Sequence, residues 1–165
     1  WGEQASELNA RTGCVGCPLA TKDTALENLI KLPQWNYLQP LTKLRPLYER
    51  FRGFDLRLQK TKPEILKNGK LGKNPGRKGP LTLNARLWGL KEVLKIQDEV
   101  NTIAEKESRD RVDILTLEEE NRIRELITNN TWPQGWTGTE PLGNELYGQY
   151  YSNGSYQPTI FETGK

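Results

Sequence analysis

The chain has 165 residues, of which 27% are charged and 35% hydrophobic, and its formal net charge is +3. This length predicts one domain with a modest core, and no apolar run approaches the roughly 18 to 20 residues of a membrane-spanning helix. Because the chain contains no histidine, the sequence excludes a Ser-His-Asp triad, a Cys-His dyad and any His-ligated metal.

Two further features of the composition concern the origin of the chain. It begins with Trp1 and contains no methionine, and its two cysteines are too few for a secreted scaffold built on disulfides. We therefore expect a processed product or a segment cut from a longer cytoplasmic protein that does not span a membrane.

The first helices are predicted from caps and apolar spacing. Residues 1–20 lack periodicity and are expected to form a loop, followed by a helix that begins near Thr21 or Asp23 and stops before Pro33. A second helix is predicted from about Leu38 to Phe51, because leucines and aromatic residues recur there at three-and-four spacing. Pro46 lies inside it and predicts a kink or a break.

Residues 60–78 form a basic stretch rich in Gly and Pro, with Glu64 as its only acid. It has no repeating apolar face, so we expect an exposed loop or a short hairpin. Such a density of cations can neutralise phosphates of a nucleotide or a nucleic acid, although a run of charges more often forms a solvated loop. The candidate contacts are Lys70, Lys73, Arg77 and Lys78.

The clearest helix is predicted to start at a Thr82 cap and to end in the charged run EKESRDR. Its expected apolar stripe consists of Leu83, Leu87, Leu90, Leu94, Ile96, Val100 and Ile103. A further helix is predicted from Thr116, where Glu119 completes a capping box, to Asn129 and Asn130.

The last stretch, residues 131–165, is rich in Gly, Pro and Asn and carries seven aromatic residues. We expect coil with one short strand pair, packed over the helices. Its aromatic rings can stack on nucleic-acid bases or serve as hydrophobic staples for the coil, and the second use is the commoner one.

Cysteine occurs only as Cys14 and Cys17, within the stretch RTGCVGCP. A redox dithiol, part of a zinc site, part of an iron–sulfur cluster and two structural thiols in a tight turn are all compatible with this spacing. A zinc site or a cluster needs about four ligands, so further ligands would have to join this pair. Arg11 beside the cysteines is a candidate contact for an anion, and a hydrogen bond to the loop backbone is the alternative.

The run NARTGCVGCPLATKDTALENLIKLPQWNYLQPL resembles the C-terminal part of the phosphoadenosine phosphosulfate (PAPS) reductase family, in which an Arg-x-Gly-Cys-x-x-Cys segment leads into a helix. The later run GRKGPLTLNARLWGLKEVLKIQDEV is similar to the same family, including its branch that works in DNA phosphorothioate modification. The two runs are residues 9–41 and 76–100, and the resemblance covers roughly Asn9 to Leu126.

The resemblance implies a nucleotide-binding α/β enzyme, of the adenine nucleotide alpha hydrolase type, that acts on an adenylyl sulfur compound or on ATP. It implies that Cys14 and Cys17 ligate an iron–sulfur cluster or, as the second choice, zinc, and that Arg11 and the basic loop contact phosphate. The family's Ser-Gly-Gly phosphate-binding loop is not found in the 165 residues, so we expect the nucleotide or adenylyl sulfur substrate to bind a preceding part of the protein. DNA is a further expected partner.

We therefore predict a mainly α chain, the helical C-terminal subdomain of a larger α/β protein, with a long coil tail. Residues 1–58 are expected to hold the cysteines and the helices that end a nucleotide-binding domain. Residues 59–81 form the basic loop, residues 82–130 the helical subdomain, and residues 131–165 the aromatic tail. The competing hypothesis from a different class is a nucleic-acid-binding module without catalysis of its own, and the third is a helical scaffolding domain.

Overall fold

A computed structural model describes residues 15–17, 22–60, 68–70 and 78–143, together with the backbone of residues 148–150 and 156–158. This part of the chain is mainly helical, which confirms the predicted mainly α class. Within it, no helix combines the length and the apolar character that a membrane span requires.

The first helix, α1, spans Thr24–Leu29 and follows Asp23 at its N-cap position, close to the predicted start. The next stretch, Pro33–Lys43, is a 3₁₀ helix, and an α-helix, α2, spans only Leu44–Arg50. The helix predicted from Leu38 to Phe51 is therefore divided into a 3₁₀ part and an α part, with the change at Lys43–Leu44. Pro46 lies in the first turn of α2, where a backbone N–H has no partner within the helix.

The long helix α3 spans Leu83–Lys106, and the Thr82 hydroxyl accepts a hydrogen bond of 3.1 Å from the Ala85 N–H, as the predicted cap requires. Its buried face is shifted from the predicted leucine stripe and includes small residues. A Cβ at Gly89 would overlap the Phe51 ring, so the aromatic ring packs directly on the α3 backbone there. The buried residues of α3 are Ala85, Gly89, Leu90, Val93, Ile96, Val100, Asn101 and Ala104.

One hydrophobic core joins α1, the 3₁₀ helix, α2 and the second half of α3. Val100 and Ala104 are completely buried, which places the centre of this core against α3. The members of the core are Leu26, Tyr37, Leu38, Leu41, Leu44, Leu47, Val93, Ile96, Val100 and Ala104. Burial of these apolar side chains is the main favourable contribution to the stability of the helical body.

The helix α4 spans Leu117–Thr128 and packs on α3. The predicted capping box is confirmed, since the Thr116 hydroxyl accepts from the Glu119 N–H and the Glu119 carboxylate accepts from the Thr116 N–H. Hydrogen bonds from Thr116 lower the pKa of the Glu119 carboxyl, the backbone bond contributing most. Buried Asn101 bonds both the N–H and the carbonyl of Val112, which fixes the loop between the two helices.

Two short strands close the basic stretch. β1 (Arg57–Gln59) pairs antiparallel with β2 (Lys78–Leu81), and Gln59 stands opposite Lys78. Both ends of residues 60–78 therefore lie side by side, as the predicted hairpin requires. Farther along the chain, β3 (Gly148–Tyr150) pairs antiparallel with β4 (Tyr156–Pro158), so the strand pair expected in the tail is confirmed.

Residues 131–143 pack on the helices, as the sequence predicts, and also on the β1–β2 hairpin. Leu142 forms a β-bridge with Leu58, and the Gly143 N–H donates to the Arg57 carbonyl. The helical part of the contact is made by Arg86 of α3, whose guanidinium lies 4.5 Å from the Trp132 ring. The bridge forms at this place because β2 occupies one edge of β1 and the opposite edge accepts a further chain segment.

Candidate cysteine loop and basic hairpin

The loop that carries Cys17 lies directly on α2. Gly16 is buried with a φ of +74°, and a Cβ there would lie 2.9 Å from Cε2 of Tyr48. Both the left-handed backbone and the close approach to Tyr48 require glycine. Gly16 therefore turns the chain so that Cys17, a free and half-buried cysteine, follows immediately on the surface of the helical body.

Two charged side chains hold the loop in place. The Asp23 Oδ2 accepts a hydrogen bond of 3.1 Å from the Gly16 N–H, and the Arg45 Nη1 donates to the Cys17 carbonyl at 3.3 Å. Arg45 and Asp23 also form an ion pair, with Nη1 and Oδ1 separated by 3.3 Å. We call this arrangement the Asp23–Arg45 clasp. It connects the cysteine loop to the residue before α1 and to the first turn of α2.

The clasp is largely shielded from solvent. The Arg45 and Asp23 side chains are 17% and 9% exposed. A second acid, Glu49, lies 3.5 Å from the Arg45 Nε, but its side chain is 56% exposed. Water screens the Glu49 contact much more than the Asp23 contact, so the pair with Asp23 is the one expected to hold the arginine.

Tyr48 connects the loop to the rest of the core. Its ring lies against Gly16 on one side, and 6.1 Å from the Phe51 ring, which in turn meets Trp88 edge-on at 5.8 Å. Burial raises the pKa of the Tyr48 hydroxyl, so the neutral phenol is the form that the folded chain prefers. A row of aromatic rings thus runs from the cysteine loop to α3.

The donor set of this region suits thiolate-binding metals only in part. Thiolates are the ligands that zinc and iron–sulfur clusters prefer, and the chain has two cysteines and no histidine. The carboxylate of Asp23, beside the loop, uses both oxygens in the clasp. Over the residues that the structure covers, no three His, Cys, Asp or Glu side chains come together as a metal site. The pair fits as part of a larger ligand set.

Of the predicted phosphate contacts, Lys78 and Lys70 lie in the described ranges. The Lys78 ammonium donates a hydrogen bond of 2.7 Å to the Arg52 carbonyl and lies 4.5 Å from the Phe54 ring. Lys70 is exposed, and its backbone N–H donates to the Asn68 side chain. Both lysines belong to the segment that β1 and β2 close, whereas the loop that carries Cys17 packs against α2. The other candidate site residues, Arg11, Cys14, Lys73 and Arg77, lie outside the described residues.

The two tryptophans at the start of the tail contact cations of the chain itself. The Lys60 ammonium lies 4.9 Å from the Trp136 ring, and Arg86 lies over Trp132. The Arg86 guanidinium also donates to the Leu81 and Thr131 carbonyls at 3.0 and 2.8 Å. These contacts agree with the use of the rings as staples, since they attach residues 131–143 to the hairpin and to α3.

Sequence reasoning missed the clasp and Tyr48. The signal for Gly16 is visible, because a glycine between two closely spaced cysteines commonly marks a turn. Arg45 also stands out, since it lies within the apolar run around Leu44 and Leu47. Its partner, Asp23, is separated from it by 22 residues, and sequence spacing does not identify such a long-range pair.

Comparisons of the chain with protein-family models, with curated proteins and with solved structures return no match.

Proposed function

We propose that the chain is part of an enzyme of the PAPS reductase type that acts on an adenylyl sulfur compound or on ATP. In this proposal Cys14 and Cys17 supply two ligands of an iron–sulfur cluster, with zinc as the second choice of metal. The remaining ligands and the phosphate-binding loop belong to other parts of the protein, and Arg11 contacts phosphate. We expect a cytoplasmic protein, because thiols remain reduced there.

The observation that carries the proposal is that the fold commits several side chains to the cysteine loop. Gly16 is buried against Tyr48, and the clasp holds the Gly16–Cys17 dipeptide at both ends. Metal ligands need a fixed backbone and partners that hydrogen-bond around them, and the Gly16–Cys17 dipeptide has both. The resemblance of the segment around the cysteines to the PAPS reductase family supplies the reaction class.

A bound cluster would supply electron transfer or anchor a substrate, and zinc would supply structure or Lewis acidity. The residues of the chain contribute in simpler ways. The Gly16 turn places half-buried Cys17 beside α2, and the clasp keeps the loop from rearranging when ligands bind.

The test is anaerobic purification of the full-length protein, followed by an absorption spectrum and by iron, sulfide and zinc analysis. We expect bound iron with sulfide, or bound zinc, and its loss in the double variant Cys14→Ser with Cys17→Ser. Full activity in a protein without metal would contradict the ligand assignment. The variant Val15→Ala is the matched control, because it changes an exposed side chain of the same loop without removing a thiol.

A second candidate function is nucleic-acid binding by the basic hairpin. Between residues 57 and 78 the chain carries eight Lys or Arg residues and one acid, although the whole chain has 24 basic and 21 acidic residues. The remainder of the chain is therefore acidic. Pairing of β1 with β2 brings the two ends of the basic segment together, and cations that are close along the chain raise the local positive potential.

This second candidate is tested by titrating a duplex or single-stranded oligonucleotide at several salt concentrations. Phosphate contacts predict a steep loss of affinity as salt rises, and Lys70→Gln should weaken binding equally for all sequences. Lys106→Gln is the control, because Lys106 ends α3, about 35 Å along the helix from the hairpin. Absence of binding at low salt would remove this candidate.

A further inference from the structure

We propose that Asp23 and Arg45 are positioning residues, which fix the Gly16–Cys17 dipeptide so that the loop meets its metal ligand set with its backbone already in place. This inference rests on the function proposed above. Its test has a readout that does not depend on bound metal.

The clasp holds the dipeptide from both ends. Asp23 accepts from the N–H of Gly16, and Arg45 donates to the carbonyl of Cys17, while the two side chains pair with each other. The Gly16 N–H, the Cys17 carbonyl and the two side chains therefore form a ring of contacts around the backbone that carries the Cys17 thiol. Loss of Arg45 removes the cation that pairs with partly buried Asp23, and loss of Asp23 removes the less exposed of the two acids that pair with Arg45.

The position of Asp23 supports a dedicated role. Asp23 occupies the N-cap of α1, where an aspartate ordinarily accepts from a backbone N–H of the first turn. Here the side chain makes no such bond, although α1 has only six residues and would gain from a cap. The carboxylate turns instead to Gly16 and Arg45. The helix therefore forgoes its own cap in favour of the loop.

Arg45 places a charged group beside core residues, which is unfavourable unless the charge is paired. It is 17% exposed and lies between Leu44 and Leu47, which are core residues. A guanidinium in such a place requires a partner, and Asp23 provides it. A hydrophobic residue at position 45 would pack there without a charge to satisfy, so packing alone does not account for the arginine.

Fixing the loop has a direct consequence for ligand binding. When a metal binds a loop that is not yet ordered, the free-energy cost of ordering the loop lowers the affinity. Residues that hold the ligand loop in place reduce this cost. The clasp therefore raises metal affinity and slows attack of thiol reagents on Cys17, because attack needs the half-buried thiol to become accessible.

The experiment compares Arg45→Ala, Arg45→Lys and the control Glu49→Ala in the full-length protein. Glu49→Ala removes the exposed partner of Arg45 and leaves the clasp intact. The first readout is the rate at which a thiol reagent labels Cys17 in a Cys14→Ser background. The second is Co²⁺ affinity in the protein with both cysteines, followed by thiolate-to-cobalt charge-transfer absorption.

For Arg45→Ala we expect labelling about tenfold faster, in line with the loss of a charge-assisted hydrogen bond. Its Co²⁺ affinity should fall about tenfold to a hundredfold, as for other residues that orient metal ligands. Arg45→Lys should recover part of both effects, because the ammonium keeps the charge but not the planar fork. Glu49→Ala should leave both unchanged.

Unchanged labelling in a folded Arg45→Ala protein would overturn the positioning role. If the wild-type protein shows no Co²⁺ band but Arg45→Ala labels faster, the positioning role stands and the metal function fails. Asp23→Asn is the second variant in case Arg45→Ala does not fold, since it removes the negative charge but keeps an acceptor for Gly16. It should raise the labelling rate in the same direction, and an unchanged rate in this variant would also overturn the proposal.

Discussion

The cysteine loop is held by buried polar contacts, whereas the basic hairpin is held by strand pairing and by cations that lie on aromatic rings. At the cysteine loop, the side chains of Asp23 and Arg45 converge on one dipeptide. At the hairpin, Lys60 and Lys78 turn towards Trp136 and Phe54 of the chain itself.

The difference matters for function. The support of the cysteine loop leaves the Cys17 thiol half-buried at the surface and costs the fold a helix cap and a partly buried charge. The contacts that support the hairpin involve Lys60 and Lys78, which belong to the basic segment that the sequence predicts to contact phosphate. The cysteine loop is therefore the better candidate for a site, and the following predictions test how independent the two regions are.

The largest effect is expected at Gly79 of β2. A Cβ there would overlap both the Trp136 ring and the Leu58 carbonyl, so the strand backbone or the ring would have to shift. Gly79→Ala should lower the free energy of unfolding by about 3 kcal/mol, the upper range for overpacking. Chemical denaturation followed by tryptophan fluorescence measures this. Labelling of Cys17 should stay as in the wild type, and a parallel increase would show that the two regions are coupled.

A smaller effect is expected for Gly16→Ala, about 2 kcal/mol, from left-handed backbone strain together with the approach to Tyr48. Gly69 is a matched control, because it has the same φ of +74° and no described atom lies within 4 Å of the position that a Cβ would take. Gly69→Ala should cost only the backbone part, about 1 kcal/mol. The difference between the two, measured by thermal and chemical unfolding, isolates the contact between the loop and Tyr48. Equal losses would mean that this contact contributes nothing.

Tyr48 should make the cysteine loop region sensitive to alkaline pH. Because burial raises its pKa in the folded state above the ordinary value of 10.0, the folded chain holds the proton more tightly than the unfolded chain. This contribution to stability is complete below pH 10.0 and is lost as the pH rises through the folded pKa. Unfolding measured across that range should show a steeper decline for the wild type than for Tyr48→Phe. Identical slopes would contradict the burial of the phenol.

The smallest effect is expected for Lys60→Met, which keeps the apolar stem but removes the ammonium over Trp136. A partly exposed cation–π contact is worth about 0.5 to 1 kcal/mol, so the unfolding free energy should fall by that amount. Lys91→Met, on the exposed side of α3, serves as the comparison and should change stability less. A larger loss at Lys91 would show that the Trp136 contact is not a staple.

The sequence predicts the elements whose causes are local. The Thr82 cap of α3 and the Thr116–Glu119 capping box follow from residues within one turn, and both are present. The 3₁₀ helix at Pro33–Lys43 is not predictable in this way, since its apolar spacing also fits an α-helix and packing against α3 selects between them.

The candidate site, too, is predictable from the sequence only where its causes are local. Cys17 and its glycine turn are recognisable from spacing, and the structure places them on the helical body. The Asp23–Arg45 clasp escapes prediction, because it joins residues that only tertiary packing brings together. The same holds for the contacts of Lys60 and Lys78, whose aromatic partners lie far along the chain or on another element.

The central claim is that the cysteine loop is the anchored half of a metal-binding site. X-ray absorption at the iron and zinc edges of the full-length, anaerobically purified protein tests it most directly. We predict sulfur neighbours at about 2.3 Å from the metal in the wild type and fewer of them in Cys17→Ser. A metal with only oxygen or nitrogen neighbours, or the same sulfur neighbours in wild type and Cys17→Ser, would contradict the claim.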